Sequence, residues 1–293
     1  MRVLAEAWLR DDVADSTRAA STKARYEYLV RGFIVPGVGE LRIGEFTAGP
    51  ADRFLRTVRE KNGPATARTV RGCLTQMFGL AVRLGAVPTN PLREVSKIPS
   101  KKEPARALTR EEAQRLMSKL RTDERAVGLD LVELVEFMLG TGARIGEVCA
   151  LRPGFVDLDA GTVEIAATMT DAGGLEERTK TSTGHRVLAV PPHIVDMLRR
   201  RLDDPRVDTE VVVFPSPTGR LRDSSNTAAA LRRAFDRAGF PWVRSHTLRK
   251  SVATWLDDAG LTGRQIADHL GHAQVSMTTD VYMGRRIATT AAA

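Results

Sequence analysis

The sequence predicts a mainly α-helical protein, with an all-helical first domain and a second domain that sets a small antiparallel β-sheet on a helical body. Three observations predict it. At 293 residues the chain is long for one core and suits two units of ordinary size. Apolar residues recur at three- and four-residue spacing through residues 4–92 and again from Thr227 onward, whereas β-type patterns are confined to residues 156–166 and 186–190. Between these regions, Ser96-Lys97-Ile98-Pro99-Ser100-Lys101-Lys102-Glu103-Pro104 is polar, basic and punctuated by proline, the character of an interdomain linker. The expected division is a helical domain at 1–95, a linker at 96–106 and a second domain at 107–293.

Hydrophobic residues make up 42% and charged ones 27%, which can bury a core and excludes a disordered or fibrous chain. Cys73 and Cys149 lie far apart in apolar helical contexts, so they read as buried free thiols in a reducing cytoplasm. No run approaches the roughly 18 apolar residues of a spanning helix, and residues 1–10 are amphipathic, unlike a signal peptide. No membrane partner is expected. The net charge of +8 is unevenly placed: residues 1–103 hold 18 Lys+Arg against 11 Asp+Glu, and the remainder holds 26 against 25. A basic unit beside a nearly neutral one suits a clamp on a polyanion. The cations are 36 Arg to 8 Lys, as a GC-rich genome or a use for bidentate phosphate contacts would each produce.

In the first domain, apolar positions such as Tyr28, Leu29 and Phe33, then Phe54, Leu55 and Val58, keep helical spacing. Three segments rich in glycine and proline, at residues 35–39, 48–50 and 62–64, are expected to be loops between the helices. Two helix starts, at residues 21–25 and 66–71, combine hydroxyls with cations where unbonded N–H groups can also meet phosphate. Thr22, Lys23, Arg25, Thr66, Arg68 and Arg71 are therefore candidate DNA contacts, and plain surface solvation is the other reading of the same charges.

In the second domain, Thr109-Arg110-Glu111-Glu112 has the form of a capping box and predicts a helix after it. The next helix ends near Gly140, the two β-type segments follow with a polar stretch at 170–184 between them, and the helices after Thr227 break at Gly239, Gly260 and Gly271. Val132 to Leu139 and Val211 to Phe214 read as core, and His185 and His193 as ordinary surface residues. His269 and His272 are three apart, but no third ligand accompanies them, so no metal is expected.

Six polar residues, each inside a short phrase, carry the chemistry. The phrases are Thr141-Gly142-Ala143-Arg144-Ile145-Gly146-Glu147, Thr179-Lys180-Thr181, His246-Thr247-Leu248-Arg249, Leu270-Gly271-His272 and Thr278-Thr279-Asp280-Val281-Tyr282. A single tyrosine near a C-terminus, or a single His-x-x-Arg pair, is ordinary packing or solvation. Six residues in this order resemble the catalytic set of the tyrosine recombinase, or phage integrase, family. The resemblance spans the second domain and reaches the first, where residues 81–91, ending Thr89-Asn90-Pro91, look like the end of a core-binding domain.

Breaking a phosphodiester calls for positive charge at the non-bridging oxygens, and the fork-shaped guanidiniums of Arg144 and Arg249 supply it. A phenol with a pKa near 10 needs help losing its proton, which makes Tyr282 the nucleophile and His246 its base. His246 lies at i,i+3 from Arg249, on one helical face. His272 can add a hydrogen bond to the phosphoryl oxygens, Lys180 on a β-hairpin loop can protonate the departing 5′ oxygen, and Glu147 orients Arg144 or its neighbours.

The resemblance implies a compact integrase: a C-shaped clamp on double-stranded DNA attachment sites, a 3′-phosphotyrosyl intermediate, and a homo-tetramer on two duplexes, with no metal, ATP or other cofactor. A directionality factor is a further expected partner. Residues 283–293 are too few for the long terminal helix some relatives pass to a neighbour, and no arm-site domain fits before residue 20. An Xer-type dimer resolvase, a transposon integrase and, outside the family, a type IB topoisomerase are the alternatives. A DNA-binding regulator with a dead site would not keep all six residues.

Overall fold

The computed structural model describes residues 1–99, 106–170, 173–177, 184–205 and 207–272. The chain divides into two units, Met1–Glu103 and Pro104–Ala293.

The first unit is all-helical among its described residues. Helix α1 (Arg2–Trp8) runs into a wider helical turn, α2 (Ala20–Leu29) does the same, and α3 (Val35–Val38) is a single turn. The spine is α4 (Ala48–Arg83), whose Ala51, Leu55 and Val58, then Val70, Leu74, Met77 and Ala81, form one buried stripe. Trp8, Leu29, Ile34 and Phe46 complete this core, and Phe46 stacks on Phe78 with ring centroids 5.4 Å apart.

The three expected loops of this unit are corrected. Residues 35–38 make α3 with Gly39 as its C-cap, residues 48–50 open α4, and Asn62-Gly63-Pro64 interrupts α4 at Gly63 alone, where φ is 82° and ψ 164°. Pro36 lies inside the continuous helical run 20–38, directly after its wider turn, whereas Pro50 and Pro64 each sit in the first turn of a helical run, where the backbone N–H has no helical acceptor to lose. Proline there opens a helix and does not break one. Only glycine takes the Gly63 geometry without strain.

The second unit begins with the capping box expected at Thr109. Its hydroxyl accepts from Glu112 N at 3.1 Å and Glu112 Oε2 accepts from Thr109 N at 3.0 Å, starting α5 (Arg110–Thr122). Helices α6 (Glu124–Gly128), α7 (Val132–Thr141) and α8 (Ile145–Cys149) follow. Strands β1 (Val156–Asp157), β2 (Thr162–Ile165), β3 (Ala167–Met169), β4 (Leu175–Glu177) and β5 (Arg186–Ala189) come next, then helices α9 (Pro192–Asp203), α10 (Ser224–Arg237), α11 (Ser245–Asp258) and α12 (Gly263–Leu270).

The sheet is antiparallel in the order β1-β2-β5, with Val163 opposite Leu188 and Ile165 opposite Arg186. Beyond it, β3 and β4 form a second ribbon inside what the sequence marks only as β-type edge and polar stretch. Ala167 and Met169 bury one face of that ribbon against Cys149 and Ala150, a three-residue alternation too short to stand out in the sequence. The main core joins Leu116, Leu134, Phe137, Ile194, Leu198 and Phe235. Val212, Val213 and Phe214 belong to the interior, whereas Val211 is exposed. Arg201, also buried, donates to Val213 O, Asp130 and Glu133, so every face of its guanidinium is satisfied.

Cys73 and Cys149 are buried free thiols, and burial pushes both up to about 11. No helix among the described residues is long and apolar enough to cross a membrane.

Candidate active site

Helix α12 stops because Gly271 follows Leu270 in the left-handed conformation, φ 66° and ψ 52°. The chain then folds back so that Gly271 N donates to Asp268 O and His272 N to Ala267 O. The next three carbonyls, those of His269, Leu270 and Gly271, each accept from an arginine. Arg186 Nε donates to His269 O at 2.8 Å, Arg249 Nη2 to Leu270 O, and Arg144 Nη2 to Gly271 O at 3.3 Å. A helix C-terminus carries partial negative charge, so it favours cations gathered at this point.

Each arginine is delivered by a different element. Arg144 is the N-cap residue of α8, and Glu147 reaches back to it as in a capping box: Oε2 accepts from Arg144 N and Oε1 from Arg144 Nη1, both at 2.9 Å. Gly142, left-handed at φ 69°, ends α7 just before it, and a Cβ there would lie 2.9 Å from Leu270 Cδ2. Arg249, on α11 and 1% exposed, donates through Nη1 to Gly142 O at 2.9 Å. Arg186 opens β5 and donates through Nη2 to Glu147 Oε2 at 2.9 Å. Glu147 is itself buried. Burial alone would raise its pKa, but the hydrogen bond and charge of Arg186, then the charge of Arg144, hold the carboxylate far below the usual range.

His272 follows Gly271 and is buried, with Nε2 2.8 Å from Arg249 Nη2. An arginine only donates, so Nε2 accepts and the ring is neutral. Burial first, then the charges of Arg249, Arg144, Arg186 and His246, push its pKa down from 6.5 to about 4. The folded state therefore prefers the neutral ring, and its contribution to stability is whole above pH 6.5 and lost as pH falls through 4. The loss is at most about 3 kcal/mol and is reduced by solvent screening of the ring. Urea titrations across that window are expected to show a smaller acid loss in His272→Asn by about this amount; parallel pH profiles for the two proteins would remove the assignment.

His246 lies in the first turn of α11, exposed, one turn before Arg249. Partial desolvation of its ring, then the charges of Arg249, Arg144 and Lys250, lower its pKa, which favours the neutral ring that can accept a proton. His269 donates through Nε2 to Thr141 O at 2.9 Å, tying α12 to the phrase that leads to Arg144. Among the described residues no group of three His, Cys, Asp or Glu side chains is placed to hold a metal.

Of the six residues singled out by sequence, Arg144, His246, Arg249 and His272 thus gather around the end of α12. Lys180 and Tyr282 lie outside the described residues. Arg186 is the residue that sequence reading missed. A signal for it existed: in β5 it alternates inward with Leu188, an arginine at a core-facing strand position. His185, read as a surface residue, instead sits half-buried with Nε2 2.7 Å from Glu164 Oε1; His193 is exposed as read.

The first-unit candidates divide. Lys23 Nζ donates to Ala14 O at 2.6 Å and Arg71 Nη2 to Leu92 O and Val95 O, both at 3.2 Å, so these two cations hold their own unit together. Arg25 lies over the Tyr28 ring at 5.5 Å with its side chain exposed, Arg68 is exposed, and Thr22 and Thr66 are half-buried on α2 and α4.

The profile of the Phage integrase family matches residues 106–286, and that of the Phage integrase central domain matches residues 1–97. The integrase of Mycobacterium phage FRAT1 is 25% identical over 288 residues, covering 96% of this chain and 84% of its own. The tyrosine recombinase XerA of Thermococcus kodakarensis is 29% identical over 269 residues, covering 90% of this chain and 85% of its own. The Tn1549 transposon integrase, solved in complex with a circular intermediate DNA, has the same fold: TM-score 0.85 at 18% identity, over 97% of this chain and 96% of that one.

Proposed function

Because the chain belongs to the phage integrase family, and so is a tyrosine site-specific recombinase that cuts and rejoins DNA, we propose that Arg144, Lys180, His246, Arg249, His272 and Tyr282 perform its chemistry. Glu147 positions Arg144. The observation that carries this reading is the meeting of Arg144, Arg249 and His272 at the end of α12, with His246 one helical turn from Arg249.

Arg144 and Arg249 hold the non-bridging oxygens of the scissile phosphate, and His272 adds a hydrogen bond to them. His246 takes the phenolic proton of Tyr282 as its oxygen attacks phosphorus, and the 5′ oxygen departs with a proton from Lys180. A 3′-phosphotyrosyl bond replaces the phosphodiester at similar energy, so no cofactor drives the step. The 5′ hydroxyl of a partner duplex then attacks phosphorus and releases the tyrosine. Two duplexes present four strands and each copy brings one nucleophile, which calls for a homo-tetramer. Forward and reverse steps are near in energy, so a directionality factor is the natural source of bias. The substrate is a pair of double-stranded attachment sites, with integration and excision of a mobile element as the outcome. Such work belongs in the bacterial cytoplasm, on the nucleoid. The likeness to XerA favours dimer resolution as the second reading.

Sequencing recombinant junctions from the native host supplies the sites, and a two-site plasmid then tests the function. Recombinant products are the expected result; relaxation of a single plasmid without them would indicate a topoisomerase. For Lys180→Ala, cleavage is expected to fall about 10²- to 10⁴-fold and to recover on a bridging 5′-phosphorothiolate, whose leaving group needs no proton. Absence of that recovery would remove the general-acid role.

A further inference from the structure

We propose that Arg186 is a positioning residue for strand cleavage: one guanidinium locks the Glu147 carboxylate, and through it Arg144, to the terminal turn of α12 that carries His272. The inference rests on the reading of Arg144 and His272 as catalytic.

Arg186 is 8% exposed and serves three segments at once. Nε donates to His269 O at 2.8 Å, Nη2 to Glu147 Oε2 at 2.9 Å, and Nη1 to Gly184 O at 3.1 Å, with Glu147 Oε1 at 3.4 Å from Nη1. Glu147 uses the same two oxygens on the backbone and side chain of Arg144. The path from β5 to the N-cap of α8 is therefore one carboxylate long. On its other side, Arg186 approaches Gly271 so closely that a Cβ there would lie 2.9 Å from Nη1. Glycine at 271 thus serves both the left-handed turn and this approach.

A buried ion pair could serve only to neutralise Glu147, and any cation would then do. The geometry asks for more. The acceptors lie in three directions from a planar group, which a lysine ammonium cannot span from one point. With lysine, charge balance is kept, while the link between Glu147 and α12 is lost. Arg144 and His272 would then be free to drift relative to each other, and a displacement near 1 Å in an active site costs about 10²-fold in rate.

The test separates affinity from the cleavage step. Native protein and Arg186→Lys are compared on a suicide core-site duplex for DNA affinity, for the single-turnover rate of covalent adduct formation, and for the urea midpoint. Loss of adduct formation in Arg144→Ala and in His272→Ala, each with DNA affinity kept, tests the underlying reading separately. Arg186→Lys is expected to keep its affinity within about threefold and to cleave about 10²-fold more slowly. Native cleavage by the folded variant, or a rate loss matched by an equal loss of affinity, would overturn the proposal. If the lysine variant does not fold, Arg186→Ala is assayed with millimolar guanidinium ion. Recovery of cleavage supports positioning, whereas a folded alanine variant that the ion does not restore, or failure of both variants to fold, makes Arg186 a residue of the fold alone and overturns it.

Discussion

Tyr282→Phe is expected to bind core-site DNA as the native chain does and to form no covalent adduct. The phenyl ring keeps the shape and loses the one atom proposed to attack phosphorus. Removal of a nucleophile leaves only what charge stabilisation and binding supply to water, a loss of at least about 10⁴-fold. The measurement is an end-labelled duplex run in SDS beside a mobility-shift gel. An SDS-resistant band in the variant at native intensity would place the nucleophile elsewhere, and loss of the shifted complex would make the tyrosine a binding residue.

Arg249→Lys is expected to lower single-turnover cleavage about 10³-fold. In the native chain the guanidinium reaches Gly142 O, Leu270 O and His272 from one plane inside the protein, with 1% exposure. An ammonium keeps the charge and not the fork, so at least one buried carbonyl loses its donor. That costs about 1–3 kcal/mol of stability as well. Urea denaturation at matched pH distinguishes the two effects: the variant should unfold earlier yet be fully folded at the assay condition, with the rate defect intact. Cleavage within tenfold of native would show that charge alone suffices at this position.

The fold class was legible in the sequence because helical spacing runs unbroken over long stretches, and the family was legible because its phrases stand in order. The capping box at Thr109 and the C-terminal stop at Gly271 are local signals, and both appear as read. The role of Glu147 was legible in part: its tie to Arg144 is three residues long, but its second partner, Arg186, lies 39 residues on. Contacts of that kind depend on tertiary placement, and a spacing rule does not carry them. The same reason hides the destinations of Lys23 and Arg71, whose carbonyl acceptors carry no side-chain signature at all. The misread loops of the first unit have a different cause: proline is accepted in the first turn of a helix as well as after its end, and composition alone does not say which.

Arg144, Arg186 and Arg249 meet at the terminal turn of α12. Three like charges repel one another, and bringing them together around an incoming anion would normally consume part of its binding. Here a helix end and one carboxylate have already assembled and aimed them during folding. On the proposed reading the site is preorganised, so its attraction for the phosphoryl oxygens need not be spent on rearrangement. It can grow as the fifth oxygen approaches and negative charge builds toward the bipyramidal state, which is where an enzyme gains rate.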